Sequence, residues 1–137
     1  MLAFTDANEN KTQYKYSPLG YVTAKRDAKG NTTNYRNDAA GNVLSEIDAL
    51  GNVTAYTYSE SGQLLTRTLA NGAVYTAEYD ALGRLVKSTE PVSLSTTYKY
   101  NNKGDVESVT DQSGRTTSYT YDVMHRIREG YLLMLTQ

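Results

Sequence analysis

The chain alternates short runs of β-branched, aromatic and aliphatic residues with polar breaks that carry glycine. In Asn52-Val53-Thr54-Ala55-Tyr56-Thr57-Tyr58, the residues Thr54, Tyr56 and Tyr58 fall on one face at period two, the mark of a half-covered β-strand. A second run follows a glycine, as in Arg84-Leu85-Val86-Lys87-Ser88-Thr89. The position two after that glycine is apolar in every unit: Val22, Val43, Leu64, Leu85, Val106 and Ile127. Between the runs stand Asp-Ala-Leu-Gly at 48–51 and 80–83 and Asn71-Gly72, which supply the Asx side chain and the glycine that a turn with positive φ requires. Strands joined this tightly are antiparallel, because a parallel pair needs a crossover of about a dozen residues or more.

The interval between units is 21 residues. It separates Gly20, Gly41, Gly62, Gly83 and Gly104, and again Gly30, Gly51, Gly72 and, past an interruption at Ser93, Gly114. Tyr16, Tyr58, Tyr79, Tyr100 and Tyr121 lie four residues before the first glycine position, with Asn37 as the exception. Two residues earlier come Tyr14, Tyr35, Tyr56, Tyr98 and Tyr119, with Ala77 as the exception. Asp6, Asp27, Asp48 and Asp111 mark a further register, where Leu69 and Glu90 are the substitutions. Two strands of about six or seven residues plus two short turns account for each unit. The pattern predicts an all-β fold of consecutive antiparallel β-hairpins, about a dozen strands in one twisted, curved open sheet, each repeat packed mainly on its neighbours. About six repeats occupy residues 1–123. From His125, which stands where glycine belongs, the pattern decays, so 124–137 is expected to be a degenerate tail, either a truncation or a switch to unrelated sequence.

Leu, Ile, Val and Phe are scarce beside 13 tyrosines, so any core must be built largely from tyrosine rings and β-branched residues. Nothing in composition divides the chain, and one architectural unit is expected. The 14 basic and 15 acidic residues are interspersed, giving a net charge of −1 and no nucleic-acid footprint. The basic residues read as a solvated face. The absence of cysteine excludes disulfides and thiolate metal sites and leaves the compartment open. The start, Met1-Leu2-Ala3-Phe4-Thr5-Asp6, has no basic region followed by an apolar run, so no signal peptide is expected in these residues. The longest apolar run, Tyr131 to Leu135, is far short of the roughly 20 residues that span a bilayer, and no membrane insertion is expected.

No chemistry of catalysis stands out. His125 is the single histidine, so a His-based triad has no support, and a metal cluster would rest on carboxylates alone. No serine lies in a G-x-S-x-G context. Asp80 and Asp122, with the looser Asp38, could suggest a paired-carboxylate hydrolase. They recur in turns, however, whereas catalysis needs one asymmetric pocket, so their expected role is to cap backbone N–H groups. Enzyme activity is not expected, and no catalytic, cofactor-binding or metal residue is assigned. The tyrosine ladder reads as ring packing between strands, with a sugar-binding strip as the rival reading.

The run Tyr79-Asp80-Ala81-Leu82-Gly83-Arg84-Leu85 resembles the YD-repeat signature of Rhs proteins, toxin-complex C components and teneurins, and the resemblance extends over roughly residues 5–123. On it, the tyrosines and glycines of the registers above, together with Asp80, Arg84 and Asp122, are structural signature residues. The resemblance implies a β-sheet spiralling into a hollow shell, with a toxic C-terminal segment cut free and held inside, in a parent family secreted by bacteria or carried on their surface. No Asp-Pro-x-Gly-Leu-like element is present, so autoproteolysis is not carried over, and about fifteen residues beyond Asp122 leave no room here for a toxin domain. The expected function is a structural segment of a shell that encapsulates or scaffolds a toxin cargo. A carbohydrate-binding or cell-surface adhesion module is the alternative, and a remnant of a polymorphic toxin lacking its toxic domain is the second. The expected partners are adjoining repeats, a second copy paired through open sheet edges, toxin cargo, or a glycan.

Overall fold

The computed structural model describes residues 2–5 and 11–133, with backbone alone for 131–133; Asp6 and the apolar pair Met134-Leu135 lie outside them. The chain is all-β, and its elements divide into two compact units, residues 1–74 and 75–137. The first holds β1 (Leu2–Thr5), β2 (Lys11–Tyr16), β3 (Val22–Arg26), β4 (Thr32–Asn37), β5 (Val43–Ile47), β6 (Val53–Tyr58) and β7 (Leu64–Thr68). The second is opened by β8 (Val74–Tyr79) and continues with β9 (Leu85–Thr89), a 3₁₀ turn (Pro91–Ser93), β10 (Ser95–Tyr100), β11 (Val106–Thr110), β12 (Thr116–Tyr121) and β13 (Ile127–Leu133). Within each unit every strand pairs antiparallel with its sequence neighbour, as the hairpin pattern predicts. Thirteen strands form where about a dozen were expected.

The 21-residue period resolves into strand and turn lengths. From β4 onward a strand of six residues, a turn of five, a strand of five and a turn of five make one unit, as in Thr32–Asn37, 38–42, Val43–Ile47 and 48–52. The two strands differ by one residue because every second hairpin carries a β-bulge. Arg36 faces Ser45 while Asn37 faces Val43, so Leu44 has no opposite residue. The same shift recurs at Lys15/Tyr16, Thr57/Tyr58, Glu78/Tyr79, Lys99/Tyr100 and Thr120/Tyr121. A bulge adds local twist, and here it falls at the tyrosine position of each repeat.

No tyrosine core is sealed off. Ala24, 8% exposed, is the single buried residue among the described ones, and the tyrosine rings are half-covered, Tyr16 least so at 42% exposed. Packing is therefore lateral, from strand to strand across one layer. Glu78 meets Lys87 directly across β8 and β9 at 3.1 Å, and hydroxyl pairs join Thr57 to Thr66 and Thr110 to Thr116 across their strands. Such pairs each contribute about 0.2–1 kcal/mol, so a hairpin depends on its neighbours for stability.

All nine glycines of the two series have positive φ, from 79° to 93°. Gly41 is doubly constrained: φ is 93°, and a Cβ there would come within 2.5 Å of the Tyr21 ring, which lies over the turn. At Gly20 a Cβ would meet nothing within 4 Å. Gly20→Ala should therefore cost about 1–2 kcal/mol, the left-handed penalty alone, and Gly41→Ala distinctly more. Urea unfolding of the two variants checks this, and equal losses would show that the Tyr21 ring does not constrain the turn.

Candidate functional site

The residues picked out by the repeat gather in two structures, the turns and the tyrosine clips. Most of the described turns follow one plan. In 80–84 the Gly83 N–H donates to the Asp80 carbonyl at 2.9 Å, and the Asp80 N–H donates to the Arg84 carbonyl at 2.9 Å. The Asp80 carboxylate then takes the N–H groups of Leu82 and Arg84, both at 2.9 Å, through Oδ1, and the Arg84 guanidinium through Oδ2. One side chain thereby satisfies the donors that a three-residue loop leaves open, which is the expected Asx capping. Asp122 and Asp111 repeat the arrangement with Arg126 and Arg115. Asp27, Asp38 and Asp48 do so with Asn31, Asn42 and Asn52. In 101–105 the roles are exchanged, and Asn101 caps while its amide donates to Asp105. Of these partners four residues on, Arg84 alone was singled out from the sequence, as a signature residue; the signal for the others was the repeated Gly-Asn or Gly-Arg step.

The carboxylates are held ionised by these bonds. The Asn31, Asn42 and Asn52 amides lower Asp27, Asp38 and Asp48, and the Arg84 and Arg126 backbone N–H groups lead in lowering Asp80 and Asp122. Asp111 falls to about 2, chiefly through the Ser113 hydroxyl. Acids fixed below the ordinary range and saturated with donors are not poised to move protons at neutral pH. Among the described residues no group of three or more His, Asp or Glu side chains is placed to hold a metal.

Three of the described turns depart from the plan. In 69–73 Leu69 supplies no cap, and the Ala73 N–H donates instead to Asn71 Oδ1 at 3.1 Å. Where Ser93 replaces glycine, the chain passes through Val92 at φ 70° and Ser93 at φ 63°, behind Pro91. At the last turn His125 takes the left-handed position at φ 60°, its N–H donating to the Asp122 carbonyl at 3.2 Å, and β13 still pairs with β12 from Ile127 to Leu133. The His125 ring reaches back one repeat to Asp105 at 2.6 Å, the leading cause of that carboxylate's lowered pKa.

The tyrosine clips join strand to strand. Tyr58 donates its hydroxyl to the Val43 carbonyl at 3.0 Å, Tyr100 to Leu85 at 2.8 Å and Tyr121 to Val106 at 2.9 Å. Every acceptor lies 15 residues earlier, at the apolar position two after the glycine. Tyr100 is also covered by the Arg84 guanidinium, 4.5 Å from its ring centre, so Arg84 serves its own turn and the next clip together. Tyr56 reaches Glu46 at 3.0 Å, and burial raises the pKa of its phenol. Tyr14, Tyr35, Tyr98 and Tyr119 occupy the companion position on β2, β4, β10 and β12, and Tyr79 stands at the clip position of β8.

Two outcomes test this geometry. Tyr100→Phe deletes one hydroxyl and leaves the Leu85 carbonyl without its donor, which should cost about 0.5–1.5 kcal/mol in thermal or urea unfolding; no loss would remove the clip from the stabilising set. The turn carboxylates have lowered pKa values, so their stabilisation is complete above the ordinary value of 3.8 and is lost as pH falls towards about 2. The unfolding temperature should fall across that window, and less steeply in Asp111→Asn; an identical acid profile in the variant would contradict the assignment.

The RHS Repeat family model matches residues 38–74, 79–111 and 100–129. No curated protein matches the chain in sequence. Among solved structures, the chain is similar to the Photorhabdus luminescens Tc holotoxin pore, at 22% identity and a TM-score of 0.73 over 88% of this chain. It is similar also to the TcdB2–TccC3 complex, at 22% identity and a TM-score of 0.71 over 86% of this chain. In both cases the chain spans 7% of the length of the protein it matches. With more than half of its residues under the family model and the hairpin geometry of those structures, the chain belongs to the RHS repeat family.

Proposed function

We propose that the chain is a structural segment of an Rhs/YD-repeat shell that encapsulates or scaffolds a toxin cargo. The observation that carries this reading is the uniformity of the hairpins. The aspartates serve as turn caps with partners four residues on, and the clip tyrosines donate to backbone carbonyls, so the repeated side chains are committed to holding repeats together. A wall is built from such units; a catalytic site is not. The structures of similar fold are Tc toxin assemblies, of which the chain spans a small part. That supports a role as one stretch of a longer wall, in a parent protein secreted by bacteria or held at their surface. Within the chain, residues 1–123 are the repeats and 124–137 the divergent end, whose first half still adds a strand.

The partners of a wall segment are other repeats. Among the described residues β1 pairs with β2 alone and β13 with β12 alone, so each leaves a row of backbone donors and acceptors open to another strand. Sedimentation velocity over a concentration series should show self-association through these edges, and a glycan array should show no saturable binding. A monodisperse monomer at high concentration would remove the open-edge reading. Saturable glycan binding lost in Tyr58→Ala and Tyr100→Ala would replace the wall with an adhesive surface.

A further inference from the structure

The clip is missing from one repeat, and its absence leaves a cavity. At the position of Tyr58, Tyr100 and Tyr121, β4 carries Asn37, whose side chain is too short to reach the carbonyl of Val22, the residue 15 before it. Asn37 turns back instead, its amide donating to the Gly41 carbonyl at 3.3 Å, and its Oδ1 is buried with no hydrogen-bond partner. Beside it is a cavity of about 480 Å³ whose wall includes Val22, Asn37 and Val43 and the rings of Tyr14, Tyr21 and Tyr35. The volume lies in the ordinary range for small-molecule sites, and the rings of Tyr14, Tyr21 and Tyr35 in its wall suit an aromatic ligand.

We propose that this cavity is a binding site for a p-hydroxyphenyl group, which takes the place of the absent tyrosine. The intact repeats define the chemistry. At Val43, Leu85 and Val106 the same backbone position accepts a phenol hydroxyl, and Val22, the equivalent residue of this repeat, lines the cavity. The ring would lie among tyrosine faces, one of which, Tyr21, is held over Gly41 and reaches the Ala39 carbonyl at 3.4 Å. A saccharide would bring several hydroxyl groups against a wall that is mostly apolar, with Lys25 as its one charged side chain, and suits it less well than a ring with a single hydroxyl. The group has two sources, a free phenol or a tyrosine side chain presented by another polypeptide.

The test is a titration of the isotopically labelled full chain with p-cresol, N-acetyl-tyrosinamide, anisole and methyl glucoside, followed by amide chemical shifts. Saturable shifts from p-cresol at residues 20–22, 35–37 and 41–43 are expected, with a dissociation constant in the millimolar range that suits so small a ligand. Anisole, which keeps the ring and loses the donor, should bind about tenfold more weakly. Asn37→Tyr fills the cavity from within and should abolish the shifts, and Asn37→Phe provides a second filled variant should the first not fold. N-acetyl-tyrosinamide binding at the same amides supports a polypeptide-borne tyrosine, and p-cresol binding without it supports a free phenol. Shifts that persist in both filled variants, equal binding of anisole and p-cresol, or saturation by methyl glucoside alone would each overturn the proposal.

Discussion

The structure depends on one constraint, that a five-residue turn must close its own backbone. Tight hairpins leave N–H groups facing inward with no strand partner, and with Ala24 as the single buried residue among those described there is no core to absorb an error. In the commonest form the solution is a capping side chain at the first position, glycine in the left-handed region at the fourth and an amide or guanidinium at the fifth. Where one part changes, another adjusts. Asn101 and Asp105 exchange charge and role, and His125 accepts the left-handed backbone while its ring bonds to Asp105. Turn chemistry decides where each strand begins, and register follows from it.

Much of this was legible because the physics of turns is local. Glycine at 20, 41, 62 and 83 announced positive φ, Asp80 and Asp122 announced capping, and the alternation of Thr54, Tyr56 and Tyr58 announced a strand face. The bulges were not legible. Leu44 and Val86 read as ordinary strand residues, and only pairing with the next strand shows that they face no partner. The clips also escaped, because Tyr100 and the Leu85 carbonyl lie 15 residues apart and meet through sheet geometry alone. Composition led to the expectation that any core would be built largely from tyrosine rings and β-branched residues. The rings are half-covered instead, since a single layer of strands has no second layer to close over them.

The same reasoning separates tolerance from necessity along the repeat. Ser93 in place of glycine is accommodated, since Pro91 presets the turn and Val92 shares the positive φ. Asn37 in place of tyrosine is accommodated too, and there the repeat is left with an unpaired oxygen and a hollow. Departures of the first kind keep the hairpin turn closed, whereas that at Asn37 leaves a pocket beside the strand.

The clips have a direction. Tyr58, Tyr100 and Tyr121 each reach towards the N-terminus, to a carbonyl that precedes them in the chain. During translation the acceptor therefore always leaves the ribosome before its donor, and each hairpin can fasten to one already laid down without waiting for residues still to come. A wall assembled in this order grows from a finished edge, keeping a single unfastened strand at its advancing end however many units are added.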